Sequence, residues 1–390
     1  MTARFFGSQS SLREANRATL LKTVRNYGAM TQVELAENTG LSTATVSNLV
    51  RQLVDEDVVE TKATIRNGRR ATLVALTRRQ GIGVGVHIER RHMRVVLMDF
   101  AKVVLSERGM PLALNHRPDS TIERIMVLIK EMVSAIGAAI DEIVGIGLAV
   151  GAPLDYRTHA VAIPGILHGW EGMDLTAPFR TAFNVPVNVD NDANASAFTE
   201  MRIGAANGVD NFVYIHADDG VGSGIVINGR LLRGITGLAG EIGHIQVDPL
   251  GSICSCGNRG CLNTVVDEDR LVSLLSVTHG NMTLEDLVKM TNDADPGCRR
   301  VVSDAALRIG SVAADLCICV DPEIVVLGGT LSTTGDVFLD PFRESLQRLL
   351  FPDALTPMQV RSAAHPVFNA AIGGALMSIE KADNTIGIRS

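Results

Sequence analysis

Gly240-Glu-Ile-Gly-His244, followed nine residues later by Cys254-Ser-Cys-Gly-Asn-Arg-Gly-Cys261, is the stretch on which the reading of this chain turns. Three of the six cysteines fall within its last eight residues. Thiolates crowded in this way repel, and a divalent ion that takes tetrahedral sulfur and nitrogen ligands offsets the repulsion. Gly257 and Gly260 permit the tight turn that returns the third sulfur. His244, Cys254, Cys256 and Cys261 are therefore the expected ligands of Zn2+. Four protein ligands close the site and make it structural rather than hydrolytic. The same residues also read as buried free thiols, or as a redox pair at Cys254 and Cys256. Glu241 and His244, three apart, share one face of a helix or tight turn. A metal-bound imidazole leaves its other nitrogen free. The pair then suits a clamp for vicinal hydroxyls; alternatively, Glu241 serves only as a partner of His244.

Outward from this loop, 390 residues suffice for two or three domains. A hydrophobic content of 46% with 37 glycines suits α/β layers joined by tight turns. No apolar run reaches transmembrane length, and the N-terminus lacks a signal-peptide core, so a cytoplasmic protein with no membrane contact is expected. Clustered metal-type cysteines fit a reducing compartment. The net charge of −7 is uneven. Residues 1–80 carry 12 Lys+Arg against 7 Asp+Glu, and the remainder carries 24 against 36. A basic head on an acidic body points to a polyanion met by the head alone.

Within that head, residues 1–10 read as a loose arm. A helix from Ser11 places Leu20, Leu21, Val24 and Tyr27 on one face, and Gly28 ends it. Thr31-Gln-Val-Glu34 is a capping box, opening a second helix to Thr39 with Val33, Leu35 and Ala36 available to pack. Gly40 turns the chain and Ser42 caps a third helix. Val46, Leu49, Val50, Leu53 and Val54 form its buried stripe. Thr43, Thr45, Ser47, Asn48, Arg51 and Gln52 occupy the other face, suited to phosphates and base edges. Two strands, Val58–Thr61 and Ala71–Leu76, flank a basic turn carrying Arg66, Arg69 and Arg70. The pattern predicts a winged helix-turn-helix on double-stranded operator DNA, the alternative being a small helical protein–protein module. Ser42, Thr43, Thr45, Ser47, Asn48, Arg51, Arg66, Arg69 and Arg70 are the candidate DNA contacts.

Thr77–Gln80 reads as a linker. Beyond it, Gly81–Ile88, Met93–Asp99 and Val103–Leu105 read as strands, Ser120–Ile140 as a helix and Val144–Val150 as a strand, the order that begins a ribonuclease-H-like unit. Asn188–Asp192 closes a further strand before a helix from Ala193. The second half repeats the plan: strands at Phe212–His216, Gly222–Ile227 and Arg230–Leu232, the metal loop, helices around Leu271–Val277, Leu284–Met290 and Cys298–Cys319, then a strand at Glu323–Leu327. The tail Ala370–Ile379 is helical. The expected architecture is α/β: a winged helix-turn-helix at 1–80, a first lobe at 81–191 plus 370–390, and a second at 192–369, the lobes together actin-like.

These stretches, with Gly220-Val-Gly-Ser-Gly224 and Gly234, resemble the ROK family of repressors, open reading frames and kinases over nearly the whole chain. The helix-turn-helix makes it similar to the transcription-factor branch, with its regulators of glucose, N-acetylglucosamine and xylose use. The resemblance implies structural zinc on His244 and the three cysteines. It implies sugar contacts from Asn191, Asp192, Glu241 and His244, with Asn263 at a position where the family usually has Glu. Gly165 stands where relatives carry an Asn, and His168 and Trp170 are possible substitutes, Trp170 equally a core residue. The family kinases' Asp-x-Gly-Gly-Thr loop is His87-Ile88-Glu89-Arg90-Arg91 here, and Gly-Thr-Gly is Asp218-Asp219-Gly220. Side chains at these places block the backbone approach to phosphate, and the carboxylates repel it. The expectation is a sugar-responsive, kinase-inactive regulator, a repressor by default, acting as a homodimer or homotetramer with Val301–Val320 a candidate interface. The rivals are an active ATP-dependent sugar kinase with a DNA-binding head, and a regulator sensing a protein partner. His116, His216 and His365 read as surface or satisfied core positions, and Cys298, Cys317 and Cys319 as helix-core thiols.

Overall fold

The computed structural model describes residues 9–27, 29–66, 69–77, 81–350 and 358–386. The head opens with helices Gln9–Tyr27, Gln32–Thr39 and Thr43–Asp55. Thr31 caps the second: its hydroxyl accepts Glu34 N–H at 3.3 Å, while the Glu34 carboxylate takes Thr31 N–H at 2.8 Å. Gly40, at φ +69°, ends that helix where a side chain would be strained. Ser42 caps the third, accepting from Thr45 N at 3.1 Å. Val46, Leu49, Val50 and Leu53 bury against Leu20, Val24, Leu35 and Val74, each worth about 1.5–3 kcal/mol. Tyr27, Val33 and Val54, expected to pack, are exposed at 63%, 59% and 38%. An eight-residue helix makes only about two turns, and Leu35 alone fills its inward side.

The two strands of the head are longer than their sequence suggests. Val59–Arg66 pairs antiparallel with Arg69–Leu76, so Arg66 and Arg69 sit opposite one another within the ladder. Met30–Thr31 adds a third strand too short to show a period. Residues 1–8, Gly28, Asn67, Gly68 and 78–80 of the expected linker lie outside the described residues, as do the side chains of Arg66 and Arg69.

Two five-stranded sheets make the body, with one topology used twice. In the first, Ile82–Ile88, His92–Asp99 and Val104–Pro111 form an antiparallel meander, Ile143–Val150 pairs with Ile82–Ile88 in parallel, and Val187–Asn191 pairs in turn with Ile143–Val150. In the second, Phe212–Ala217, Val221–Ile227 and Arg230–Leu231 form the meander, and Ile324–Gly328 and Gln359–Ser362 are the parallel pair. Numbered in chain order within each sheet, both read 3-2-1-4-5. The tail is helical as expected, and this helix, Asn369–Ile386, packs on the first sheet. It comes so close that a Cβ on Gly85 would stand 1.7 Å from Ala371 O, and one on Gly147 would stand 2.0 Å from Gly374 O. Glycine is required there by contact, not by turn geometry.

In the second half the long helix Pro296–Val320 lies against Asp336–Leu349, a helix not foreseen from the sequence. Val302, Ala306, Ile309 and Ala313 are buried between these helices and the sheet. The apolar face offered above as an oligomer interface is thus largely covered within the chain. Cys298 and Cys317 are buried as expected, but Cys319 is exposed, because it lies on the solvent side of the last helical turn. The helix expected at Leu271–Val277 is broken into Glu268–Ser273 and Ser276–His279.

Candidate functional site

The parallel strands of both sheets end at one cleft, where open α/β sheets offer turns and helix N-termini to a ligand. A cavity of about 500 Å³ opens there. Asn191, Asp192, Glu241, His244 and Asn263 all line it. Asn191 caps the helix Asp192–Ile203, its Oδ1 accepting from Ala193 N at 2.8 Å. Its Nδ2 donates to Ala152 O at 3.4 Å and lies 3.5 Å from Glu241 Oε1. Glu241 therefore turns to Asn191 and not to His244. Burial, with the nearby Asp192 charge, pushes the Glu241 carboxyl up to about 8. Asn263 is partly committed to structure: its Oδ1 accepts Val221 N–H at 2.9 Å. Behind Asn191, Arg233 donates to the adjoining Asp190 Oδ2 at 3.0 and 2.8 Å and to Tyr156 Oη at 2.7 Å.

The metal-type residues meet beside this cavity. His244 Nδ1 lies 3.6 Å from Cys254 Sγ, and Cys256 Sγ lies 3.7 Å from Cys261 Sγ. All four candidate ligand atoms fall within 4.8 Å of one another. Sulfurs about 2.3 Å from a tetrahedral ion stand about 3.8 Å apart, so the arrangement fits a closed site of three sulfurs and one nitrogen. None of the cysteines is in a disulfide. Burial, reinforced by the neighbouring sulfurs, pushes the Cys261 thiol up to about 12, so a thiolate there needs a cation beside it. Gly260 lets the loop close: a Cβ on it would stand 1.5 Å from Asp248 O. His244, with Nδ1 facing Cys254, also lines the cavity.

The segment Glu89–Arg91 is tied down at every residue. Glu89 is buried and paired with buried Arg94. Arg90 reaches Asp219 at 3.1 Å and Asp269 at 2.6 Å. Arg91 pairs with Asp269 and, at 3.3 Å, with Glu268. Sequence reasoning saw these side chains as obstacles to phosphate and missed their partners, which for Arg90 and Arg91 come from the other half of the chain. It also misjudged His216. That residue lies at the end of its strand among Glu89, Asp192 and Asp218, at 3.9, 3.7 and 4.0 Å. Burial pulls its pKa down, yet these carboxylates outweigh it and raise the imidazole to about 9. His87 joins the group, 3.5 Å from Glu89 and 3.6 Å from Asp192. The signal available in the sequence was position: both histidines lie at strand ends feeding the cleft. His116 is a satisfied core residue as expected, bonded to Thr121 Oγ1 and Glu89 O, and His365 is exposed. Trp170 is core, not a stacking platform: it is 1% exposed and donates to His116 O at 3.2 Å. His168 points to solvent outside the cavity.

On the head, Thr43, Asn48 and Arg51 are exposed on the third helix, while Thr45 and Ser47 are half-buried. Ser42 and Thr45 share a hydroxyl contact of 2.8 Å. Gln52 is held by Arg13 at 2.8 Å and bonds to Glu56 at 2.9 Å, which withdraws it from the free face. Arg70 is exposed in its strand. Among the described residues, no helix is long and apolar enough to cross a membrane.

The model of the ROK family matches residues 72–381, and a domain of unknown function, DUF7343, matches residues 12–75. The xylose repressor of Bacillus subtilis is 26% identical over 345 residues, covering 88% of this chain and 89% of its own length. The crystal structure of a ROK family transcriptional regulator, a homolog of the Escherichia coli MLC protein, superposes with a TM-score of 0.73 at 22% identity, covering 97% of this chain and 98% of its own. A ROK family glucokinase from Streptomyces griseus, solved with glucose and AMPPNP, gives 0.68 at 26% identity, covering 76% of this chain and 99% of its own.

Proposed function

Because the chain belongs to the ROK family, we propose that it is a sugar-responsive transcriptional regulator, a repressor by default, and not a kinase. The observation that carries this reading is the ion-paired segment Glu89–Arg91. A triphosphate needs backbone N–H groups and open space there. Here guanidinium and carboxylate groups neutralise one another across the cleft. Asp192, the residue in the family kinases' general-base position, keeps the capacity to accept a sugar hydroxyl.

The head, proposed as residues 1–80, presents Ser42, Thr43, Thr45, Ser47, Asn48 and Arg51 to the major groove, with Arg66, Arg69 and Arg70 along the phosphates. The lobes, proposed as 81–191 plus 370–390 and 192–369, enclose a sugar or sugar derivative between Asn191 and Asp192 on one side and Glu241, His244 and Asn263 on the other. Zn2+ on His244, Cys254, Cys256 and Cys261 fixes the loop that carries Glu241 and His244. The sulfur spacing and the convergence of the four ligand atoms support it. Operators read by such heads are commonly paired half-sites, so a cytoplasmic homodimer or homotetramer is the working assembly. The test is a gel-shift titration of the metal-loaded protein on its own upstream DNA with a panel of monosaccharides. Release of DNA by one sugar supports the reading, and a response to none of them together with ATP-dependent hexose phosphorylation defeats it.

A further inference from the structure

The floor of the cavity holds a second group of metal-type ligands with no thiol in it. His87 and Glu89 come from the end of the first strand of the first sheet and the turn after it. His216 comes from the first strand of the second sheet, and Asp192 from the N-terminus of the helix Asp192–Ile203. One ligand atom from each lies within 4.8 Å of the other three. His87 Nε2 stands 3.5 Å from Glu89 Oε1 and 3.6 Å from Asp192 Oδ2. His216 Nε2 stands 3.9 and 3.7 Å from the same two oxygens. These separations are too long for good hydrogen bonds. They suit ligands on a common ion: donors about 2.0–2.1 Å from a tetrahedral centre stand about 3.4 Å apart.

Two further observations point the same way. Both nitrogens of His87 and Nε2 of His216 are buried without a hydrogen-bond partner, and the two side chains are only 1% and 6% exposed. Orphaned ring nitrogens so deep are costly unless something occupies the space they face. The charges are also out of balance. Glu89, Asp192 and Asp218 converge here, and among the described residues Arg94 is the one guanidinium buried with them. A divalent cation makes up that deficit. Two protonated imidazoles would as well, but they would leave the ring N–H groups at 3.5 Å or more from any acceptor among these carboxylates.

We infer that His87, Glu89, Asp192 and His216 form a second metal site, which takes a divalent first-row transition ion. Two imidazoles with two carboxylates suit zinc, cobalt or manganese better than magnesium, whose shell is oxygen and water. The ion joins the first strand of one sheet to the first strand of the other, so it is a link between the lobes. It differs from the cysteine site, whose ligands all come from one loop and its preceding turn. Since Glu89, Asp192 and His216 also line the cavity, a ligand oxygen placed there can complete the ion's shell.

The experiment uses the full, reduced chain stripped with chelator and titrated with Co2+. Two equivalents should bind. One brings the intense sulfur-to-metal absorption of a thiolate site, the other only weak visible bands of nitrogen and oxygen ligation. His87→Gln and His216→Gln should each lose the weak-band equivalent and keep the thiolate one, which also reports that they fold. Cys256→Ser should lose the thiolate equivalent and keep the other. Mg2+ in tenfold excess should not displace the weak-band ion. A wild-type protein that binds one equivalent, with thiolate absorption alone, overturns the proposal without help from any variant. So does a second equivalent that survives His87→Gln and His216→Gln, since the ion then lies elsewhere, or one that Mg2+ displaces freely. None of these readouts depends on DNA or sugar.

Discussion

Arg90 Nη2 donates to Asp269 Oδ2 across 2.6 Å, a bond between residues 179 positions apart in the chain. The same guanidinium reaches Asp219 at 3.1 Å. The turn that follows the first strand of the first sheet is therefore fastened to the second half by charge. Asp269 is half-exposed, so the pairs it makes contribute little to stability, about 0–1 kcal/mol. Their consequence is occupancy: the arginines fill the ground a nucleotide phosphate would need.

The protein is therefore expected to show no ATP-dependent phosphorylation of common hexoses in a coupled assay for ADP release. Steady turnover that Asp192→Asn abolishes would reverse the assignment.

Cys256→Ser should lose the thiolate-bound metal equivalent and leave the loop between His244 and Cys261 open to protease. Elemental analysis and limited proteolysis of reduced protein measure the two effects. Unchanged metal content would show that the sulfurs 3.7 Å apart at Cys256 and Cys261 hold no ion.

Arg51→Ala should weaken operator binding by about 1–3 kcal/mol if it reads a base, or lower the salt dependence by roughly one counterion if it meets a phosphate. Sugar affinity, followed by calorimetry, should stay within twofold. Glu241→Ala should do the reverse, keeping DNA affinity and losing the response to sugar. A ligand moves such an equilibrium only through its differential affinity for the two states, typically about 1–3 kcal/mol. If Glu241→Ala still releases DNA at the wild-type sugar concentration, the sugar does not act through this carboxylate.

Glu241 also sets a pH dependence. Its folded pKa, about 8, lies above the ordinary 4.5, so folding favours the protonated form. The stability this gives is fully present below about pH 4.5 and is lost as pH rises through 8. Glu241→Gln, neutral at all pH values, should match the wild type near pH 4 and exceed it in stability at pH 8.5. Urea denaturation at both values measures the gap, and a constant difference between the two proteins would contradict the raised pKa.

Gly85→Ala should destabilise the protein more than an ordinary surface substitution, by about 1–3 kcal/mol or more, since its Cβ would meet backbone at Ala371 O. Gly137→Ala gives a control for backbone strain, having φ +68° but nothing within 4 Å of its Cβ. Thermal unfolding of the two compares contact with strain.

Much of this protein was legible from short-range pattern. The capping box at Thr31 and Glu34, the Ser42 cap and the stripe Val46, Leu49, Val50 and Leu53 each lie within a few turns of helix, where spacing alone dictates which side chains meet. The same holds for His244, Cys254, Cys256 and Cys261, gathered by one loop. The paired three-strand meanders came through because most of their strands carry an apolar run, whereas the closing strand Gln359–Ser362, with one apolar residue, left no such signal. What the sequence could not decide lies between distant segments. His87 and His216 belong to different sheets, and each is an isolated histidine until the strands ending at the cleft bring them together with Glu89 and Asp192. The pairing of Arg90 and Arg91 with Asp219, Glu268 and Asp269 has no local signature, and neither does the burial of Trp170 over His116. Periodicity reports which way a side chain faces along its own element. Only the packing of two sheets against a common cleft fixes what it faces.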